Sequence, residues 1–576
     1  MSAAMLLLWL GVTAQAPVQS LSATGLFAAA PDTVVVCPAE FRQALEPWVT
    51  LRTAERHVVR VVSNDGTPED IRARIRAVAS EGAEGRGSSF SVSSPKMVPG
   101  TFALHYVLLV AAADPRAAID PAIRRRSIPA HLEPAVVDIR WGSEPTIASD
   151  NWYADLDDDG VPDVAIGRLT VRSAAELQTV VRKIVAYERS TDFHRWRSRI
   201  NFVAGTGGFG PLVDSVLEAG ARQLIAGGIP AQYQTTLTAA DWHSPYCPDP
   251  RQFHATTLAR LNEGCWFWVY LGHARRTALD ELRVPNGRAQ ILDRADAAGL
   301  HCAGGPPIGL LLACYAGAFD GQERCLADEL LRADGGPVAI VAGSRVTMPY
   351  GMTMLGSELL DECFERHAPT LGDALLHAKR RSVDADGPAL SARRLAFDAV
   401  ASAVGPPGTD LAAERREHLL LFNLIGDPLL RLHYPRDATL TLAATAMAGD
   451  RLAVTGRTAV DGDCTIELVP APDRSLWQPP IRRQYDPSPQ ALASYQTAYL
   501  AANAGPVASV GSRAADGRFA AEIPIPAGKT GTYLVRAFIA GREDFAIGSA
   551  NLEVQPPKSE RSADSAQADR AEAIRR

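Results

Sequence analysis

Residues 265–314 read CWFWVYLGHARRTALDELRVPNGRAQILDRADAAGLHCAGGPPIGLLLAC, and the fold turns on the two ends of this stretch. Cys265–Leu271 is an unbroken apolar and aromatic run that stops at Gly272-His273-Ala274. Ile308–Ala313 is a second such run, and it stops at Cys314. Short continuous apolar runs suit strands buried on both faces, as in parallel sheets covered by helices. The interval between them is long enough for one strand–helix–strand crossover, which is right-handed and leaves its two strands beside or near one another. His273 and Cys314 then share the carboxyl edge of a parallel sheet, where open α/β folds build their sites.

The same alternation extends outward, from 33 to 436. Strand-like runs are Thr33–Val36, His57–Val62, Ala103–Val110, Arg199–Ala204 and Pro337–Ala342, and helical stretches cover 39–54, 68–80, 173–189, 211–226, 323–333 and 353–366. This predicts a mainly parallel sheet flanked by helices. The polar stretch Arg189–Ser198 reads as a seam, dividing an N-terminal α/β subdomain (17–192) from a second one (193–436). After Pro435 the pattern changes to short strands and turns, with helical character only around 488–503, so 437–556 reads as an all-β sandwich. The last residues, 557–576, are polar and read as a disordered tail. The expected fold is therefore α/β: two side-by-side subdomains with mainly parallel sheets, followed by a β-sandwich.

Composition bounds the rest. The chain has 576 residues, 47% hydrophobic and 21% charged, and a net charge of -7, the profile of a folded protein with no basic face for nucleic acid. No apolar run reaches the roughly 18 residues of a membrane span. Residues 5–12, MLLLWLGV, followed by Ala14-Gln15-Ala16, read as a signal peptide over 1–16, with a buried first strand as the alternative. An exported protein is expected: secreted, periplasmic or at the cell surface. The eight cysteines show no CxxC spacing, which argues against a zinc ribbon. The glycine-rich Gly205–Pro211 follows a strand but lacks the Lys-Ser/Thr of a phosphate loop.

Two constellations carry chemistry. A Cys and a His at neighbouring strand ends suit nucleophilic catalysis, with the thiolate attacking and the imidazole moving protons. Taken singly, each residue is more often a structural one. The second is Asp155-Leu156-Asp157-Asp158-Asp159-Gly160-Val161-Pro162-Asp163. Its acids stand at positions 1, 3, 5 and 9 with Gly at 6, as in the first half of an EF-hand loop, but Ile166 occupies position 12, where the closing Glu would be. A solvated acidic turn is the plainer alternative.

The residues around the pair resemble the gingipain family of cysteine peptidases, relatives of caspases. WVYLGH (268–273) and LLLACYAGAFDGQERCLADELL (310–331) match its His and Cys strand ends. TVVVCPAEFRQALEPWVTLRTAERHVVRVV (33–62), SDNWYADLDDDGVPDVAIGRLTVRSAAELQTVVRKIVAYE (149–188) and LIGDPLLRL (424–432) match its opening, middle and closing segments in order. The resemblance implies Cys314 as nucleophile and His273 as general acid/base, with the backbone N–H groups of Cys314 and Ala274 as oxyanion donors. It implies a structural calcium ion on Asp157, Asp159, the Val161 carbonyl and Asp163, with Asp155 as a further candidate. It also implies a protein or peptide substrate and an immunoglobulin-like character for the sandwich. Two departures stand out. Ala274 replaces the usual Gly, and Thr206-Gly207 stands where the family carries an acid that orients the His, with Asp214 the nearest acid downstream. The loop after Pro337–Ala342, with Ser344, Arg345 and Tyr350, is a candidate wall of the substrate pocket. Arg345 either favours an acidic residue there or is simply an exposed or salt-bridged side chain. The reading is an exported cysteine endopeptidase; the alternatives are a sortase-like transpeptidase of the same family and a catalytically degenerate, calcium-stabilised binding protein. The sequence leaves the oligomeric state open.

Overall fold

The computed structural model describes residues 29–84, 103–206, 228–302, 304–384, 392–405, 408–471, 480–503 and 505–557. The signal peptide, the helix expected at 211–226, Gly207, Asp214 and the tail from 558 on lie outside the described residues.

Ten strands form one sheet. In chain order they are β1 (Thr33–Val36), β2 (Val59–Val62), β3 (Tyr106–Val110), β4 (Ala165–Leu169), β5 (Arg199–Ala204), β6 (Gln234–Ala239), β7 (Phe267–Leu271), β8 (Ile308–Leu312), β9 (Ala339–Gly343) and β10 (Phe422–Ile425). Their spatial order is β2-β1-β3-β4-β10-β9-β8-β7-β5-β6. β1 to β4 are mutually parallel, as are β5 to β9. The closing strand β10 runs parallel to β4 and antiparallel to β9. The two α/β units are thus fused edge to edge through β10, with opposite strand directions. Every residue of β1, β3, β8 and β9 is buried, which is why these strands read as continuous apolar runs.

Buried polar groups hold the elements around β4 and β10. Fully buried Arg168 on β4 forks onto Asp150 at 2.7 and 2.6 Å and donates to the Ala111 and Ile128 carbonyls. Lys379 reaches Asn151 Oδ1 (2.5 Å) and the Phe422 carbonyl (2.6 Å). Arg168 keeps its charge out of water because nearly every donor has an acceptor, whereas burial lowers the Lys379 ammonium to about 7.

One sequence expectation is overturned between β7 and β8. The crossover carries no α-helix among the described residues. It is built from two hairpins, Ala274–Arg275 with Ala278–Leu279 and Glu281–Val284 with Gly287–Gln290, and a single turn at Asp296–Gly299. The run ELRVPNGRAQ holds a Pro-Asn-Gly turn flanked by alternating residues, which favours a hairpin over a helix.

The C-terminal residues form an eight-stranded all-β unit with its own core. Its first strand, Arg436–Thr441, serves two layers: Arg436 and Asp437 run parallel to Phe545–Gln555, while Ala438–Thr441 pair antiparallel with Arg451–Thr458. A helix, Pro489–Ala502, leaves this unit and docks on edge strand β6. There Asn503 accepts the Leu237 N–H (2.7 Å) and donates to the Leu237 carbonyl (2.8 Å), pairing the exposed edge as a further strand residue would. Arg195 meets Glu467 at 2.5 Å and Phe193 stacks on Phe545, so the sandwich is bound to the second α/β unit.

Candidate active site

Register brings the two candidate residues level. β7 and β8 are adjacent and parallel, with Leu271 opposite Leu312. His273 and Cys314 each follow two residues later, on strands about 4.8 Å apart. The ladder runs on past the strand ends, since Gly272 N–H donates to Leu312 O at 3.3 Å. Gly272 has to be glycine because a Cβ there would lie 2.8 Å from both Gly205 Cα and the Tyr270 hydroxyl oxygen. That hydroxyl donates to the His273 carbonyl (2.5 Å) and accepts the Asp280 N–H (3.4 Å), so it fixes the His273 backbone. Burial holds the Tyr270 phenol well above its ordinary range and keeps it a donor.

The chain turns sharply after the thiol. Tyr315 is left-handed (φ 57), and its N–H donates to Arg345 O at 3.0 Å. Among the described residues the Cys314 N–H donates to no backbone carbonyl. The Thr347 N–H points at Cys314 Sγ from 3.3 Å, and the Thr347 hydroxyl lies 3.6 Å away. The Cys314 thiol in turn lies 3.7 Å from the Thr347 carbonyl, to which it can donate. Thr347 was not among the residues singled out from sequence; it touches Cys314 only because β8 and β9 are neighbours.

Ala274 pairs with Leu279 across the short hairpin. Leu279 directs its own N–H away from that hairpin, to Leu292 O at 2.8 Å. Paired sites alternate along an antiparallel ladder, so the Ala274 N–H also points out of the hairpin. Ala274 is not among the residues with positive φ. Its backbone is therefore one that Ala adopts as readily as Gly. Thr206 hydrogen-bonds the Glu281 carbonyl (2.7 Å) and sits within 3.2 Å of the Ala240 carbonyl, which ties its loop to the hairpins.

The expected pocket residues are otherwise engaged. Arg345 is 4% exposed, forked on Asp320 at 2.9 and 2.5 Å and bonded to the Thr146 and Ser344 carbonyls. The salt-bridged alternative is the observed one, and Arg345 does not face a substrate. Ser344 is buried with its hydroxyl on Ala148 O (2.8 Å). Tyr350 donates to Asp398 (2.5 Å), accepts from Arg415, and ties the helix Pro349–Phe364 to its neighbours. All eight cysteines are free thiols, and only Cys302 and Cys314 are not fully buried. Burial pushes Cys302 up to about 12, which leaves it inert at neutral pH.

On the first unit, Asp155, Asp157 and Asp159 bring carboxylate oxygens within 4.8 Å of one another. Asp155 accepts the N–H groups of Asp158 (2.8 Å) and Gly160 (3.2 Å), and Asp163 accepts that of Leu156 (2.7 Å). Gly160 is left-handed (φ 82), the bend the sequence required. Arg72 and Arg76 meet Asp158 at 2.7 and 2.8 Å, and Arg72 also reaches Asp155 Oδ2 at 3.3 Å, on the edge of the converging set. A hard oxygen donor set of this kind fits a calcium-sized cation.

These features define an α/β protein with a thiol and an imidazole level at the carboxyl ends of adjacent parallel strands. The sequence profile of Peptidase family C25 matches residues 28–433, and the chain belongs to that family. Gingipain R2 of Porphyromonas gingivalis (strain ATCC BAA-308 / W83) is 26% identical over 230 residues, which is 39% of this chain and 29% of that protein. Gingipain R1 of Porphyromonas gingivalis is 25% identical over 230 residues, 39% of this chain and 22% of that protein. The match thus spans under a third of either curated relative. A solved protease structure shares the fold, with a TM-score of 0.51 at 14% identity, covering 92% of this chain and 98% of that one.

Proposed function

We propose that the chain is a cysteine endopeptidase that cleaves polypeptides through Cys314 and His273. The observation that carries this reading is the register of β7 and β8, which sets both residues two positions beyond paired leucines. Cys314 Sγ, as thiolate, adds to the scissile carbonyl carbon. The oxyanion that forms accepts the N–H groups of Cys314 and Ala274. His273, protonated, gives its proton to the leaving amine as the C–N bond breaks, leaving a thioester on Cys314. Water then attacks the thioester, His273 takes the water's proton, and the acid product leaves as the thiolate returns. Thr347 stabilises that thiolate at both ends of the cycle.

Asp155, Asp157, Asp159, the Val161 carbonyl and Asp163 would hold calcium, which supplies charge neutralisation to the loop and takes no part in the chemistry. Export rests on the apolar run 5–12 and the Ala14-Gln15-Ala16 site, and amino-terminal sequencing of the mature protein tests it. The experiment for activity incubates the full chain with unstructured peptides, calcium and reductant, beside Cys314→Ala. Cleavage by the parent alone is expected. Equal cleavage by both proteins, or none by a folded parent, overturns the reading. In the same samples a chelator should lower the melting temperature. Loss of a cation held at a hundred times its dissociation constant removes about 2.7 kcal/mol.

A further inference from the structure

The first α/β unit sends one loop, 135–145, across to the thiol of the second. It rises from the antiparallel pair His131–Pro134 and Thr146–Ser149, and its base is closed by Ala135 N–H on Pro145 O at 2.9 Å. The loop is rigid. The Glu417 carboxylate accepts three successive N–H groups, those of Val136 (2.8 Å), Val137 (2.7 Å) and Asp138 (2.7 Å). Left-handed Gly142 (φ 86) ends a single turn at Asp138–Trp141. Glu144 then accepts the hydroxyl of Tyr315 (2.6 Å), the residue after Cys314.

Yet this well-held loop keeps apolar side chains in water. Val136 is 63%, Ile139 44% and Trp141 52% exposed. Exposed apolar groups normally occur singly; a cluster on a rigid support marks a binding surface. The segment Thr347–Tyr350 also borders the thiol, through Thr347. There the Met348 N–H donates to His418 Nε2 (2.8 Å) and the Gly351 N–H to Glu414 (3.0 Å). Glu414, Glu417 and His418 all lie on one helix, Leu411–Leu421, so a single element buttresses both the loop and this segment. Arg345 is turned into the protein, which removes the charge the sequence offered for recognition.

We infer that Val136, Ile139 and Trp141 form a substrate subsite for a bulky aliphatic or aromatic side chain of the polypeptide being cut. The occupant is the substrate because the loop ends on the residues beside the nucleophile, through Glu144 on Tyr315 and the Thr146 carbonyl on Arg345. Trp141 lies three positions before Glu144, whose carboxylate meets the hydroxyl of Tyr315, the residue after the nucleophile, so the side chain taken belongs to a residue a few positions from the cut. The subsite rests on the peptidase reading above and adds the class of side chain it prefers.

The test digests a set of unstructured twenty-residue peptides of random sequence and reads the cut positions by mass spectrometry. The full chain is compared with Trp141→Ala, with Ile139→Ser, and with Ile119→Ser, an exposed apolar residue on a different loop. The expected result is enrichment of Leu, Ile, Phe, Tyr or Trp at one position within about four residues of the cut. That enrichment falls in both subsite variants and is kept in Ile119→Ser. On one preferred peptide, KM rises about ten-fold or more in Trp141→Ala, while kcat and Cys314 alkylation stay within about two-fold. Cleavage without apolar enrichment, or enrichment that survives both variants, overturns the subsite and leaves the peptidase reading standing. A parent that cuts nothing overturns both. Equal melting temperatures confirm that the variants are folded.

Discussion

At the scale of single residues, the site depends on donors that meet sulfur only in three dimensions. Thr347 presents a backbone N–H and a hydroxyl to Cys314 Sγ. Thr347→Val keeps the N–H and the shape and removes the hydroxyl. Alkylation of Cys314 by iodoacetamide at neutral pH should slow about three- to ten-fold, as one hydrogen bond to an anion is lost. An unchanged rate would show that the Thr347 hydroxyl serves only Met352 Sδ, 3.0 Å away. Cys314 and His273 were legible in sequence because each ends an apolar strand. Arg345 was not: a charged side chain just past a strand end reads the same whether it faces solvent or Asp320, and only the packed partner separates the two.

At the scale of elements, the fold rests on strands that are buried on both faces and on edges that are covered. β5 was legible to the residue, as Arg199–Ala204, because its apolar run is bounded by polar residues. β6 was missed: QTTLTA is mostly polar, as an edge strand can be, and carries little hydrophobic signal. Its exposed edge is covered by the helix Pro489–Ala502, where Asn503 bonds both backbone groups of Leu237. Asn503→Ala removes both bonds. The protein should lose about 1–3 kcal/mol in urea denaturation, with faster hydrogen exchange at the Leu237 amide than at the β8 amides. A change confined to the sandwich would show that the helix does not stabilise β6.

At the scale of the whole molecule, the two α/β units share buried charge near the cleft. Asp138 is fully buried, both of its carboxylate oxygens lack a donor, and Glu414 and Glu417 lie close by. Burial first, and then the neighbouring acids, push its carboxyl up to about 8. Between about 4, where the unfolded carboxyl ionises, and 8, the folded state therefore holds more protons than the unfolded state, and stability falls as pH rises. Asp138→Asn should match the parent near pH 4 and exceed it near pH 8 by at least about 1 kcal/mol in urea denaturation. A parent whose stability does not fall across that window would contradict a protonated Asp138. Glu414, pushed up to about 7 by burial, adds to the same slope.

The sequence by itself determined what depends on local pattern. Apolar runs specified the parallel strands, the Pro435 boundary separated the β-rich end, and the acidic repeat with Gly160 specified its turn, because burial on two faces and left-handed backbone each leave a local mark. Only the tertiary structure decided what depends on residues far apart in the chain. The sheet is continuous because β10 inserts between β4 and β9 in opposite directions. The crossover is made of hairpins. Arg345 belongs to Asp320, and the loop 135–145 of one unit stands beside the thiol of the other. These contacts join segments tens to hundreds of residues apart, and the energy that selects them comes from burial and hydrogen bonding between surfaces that no short window of sequence contains.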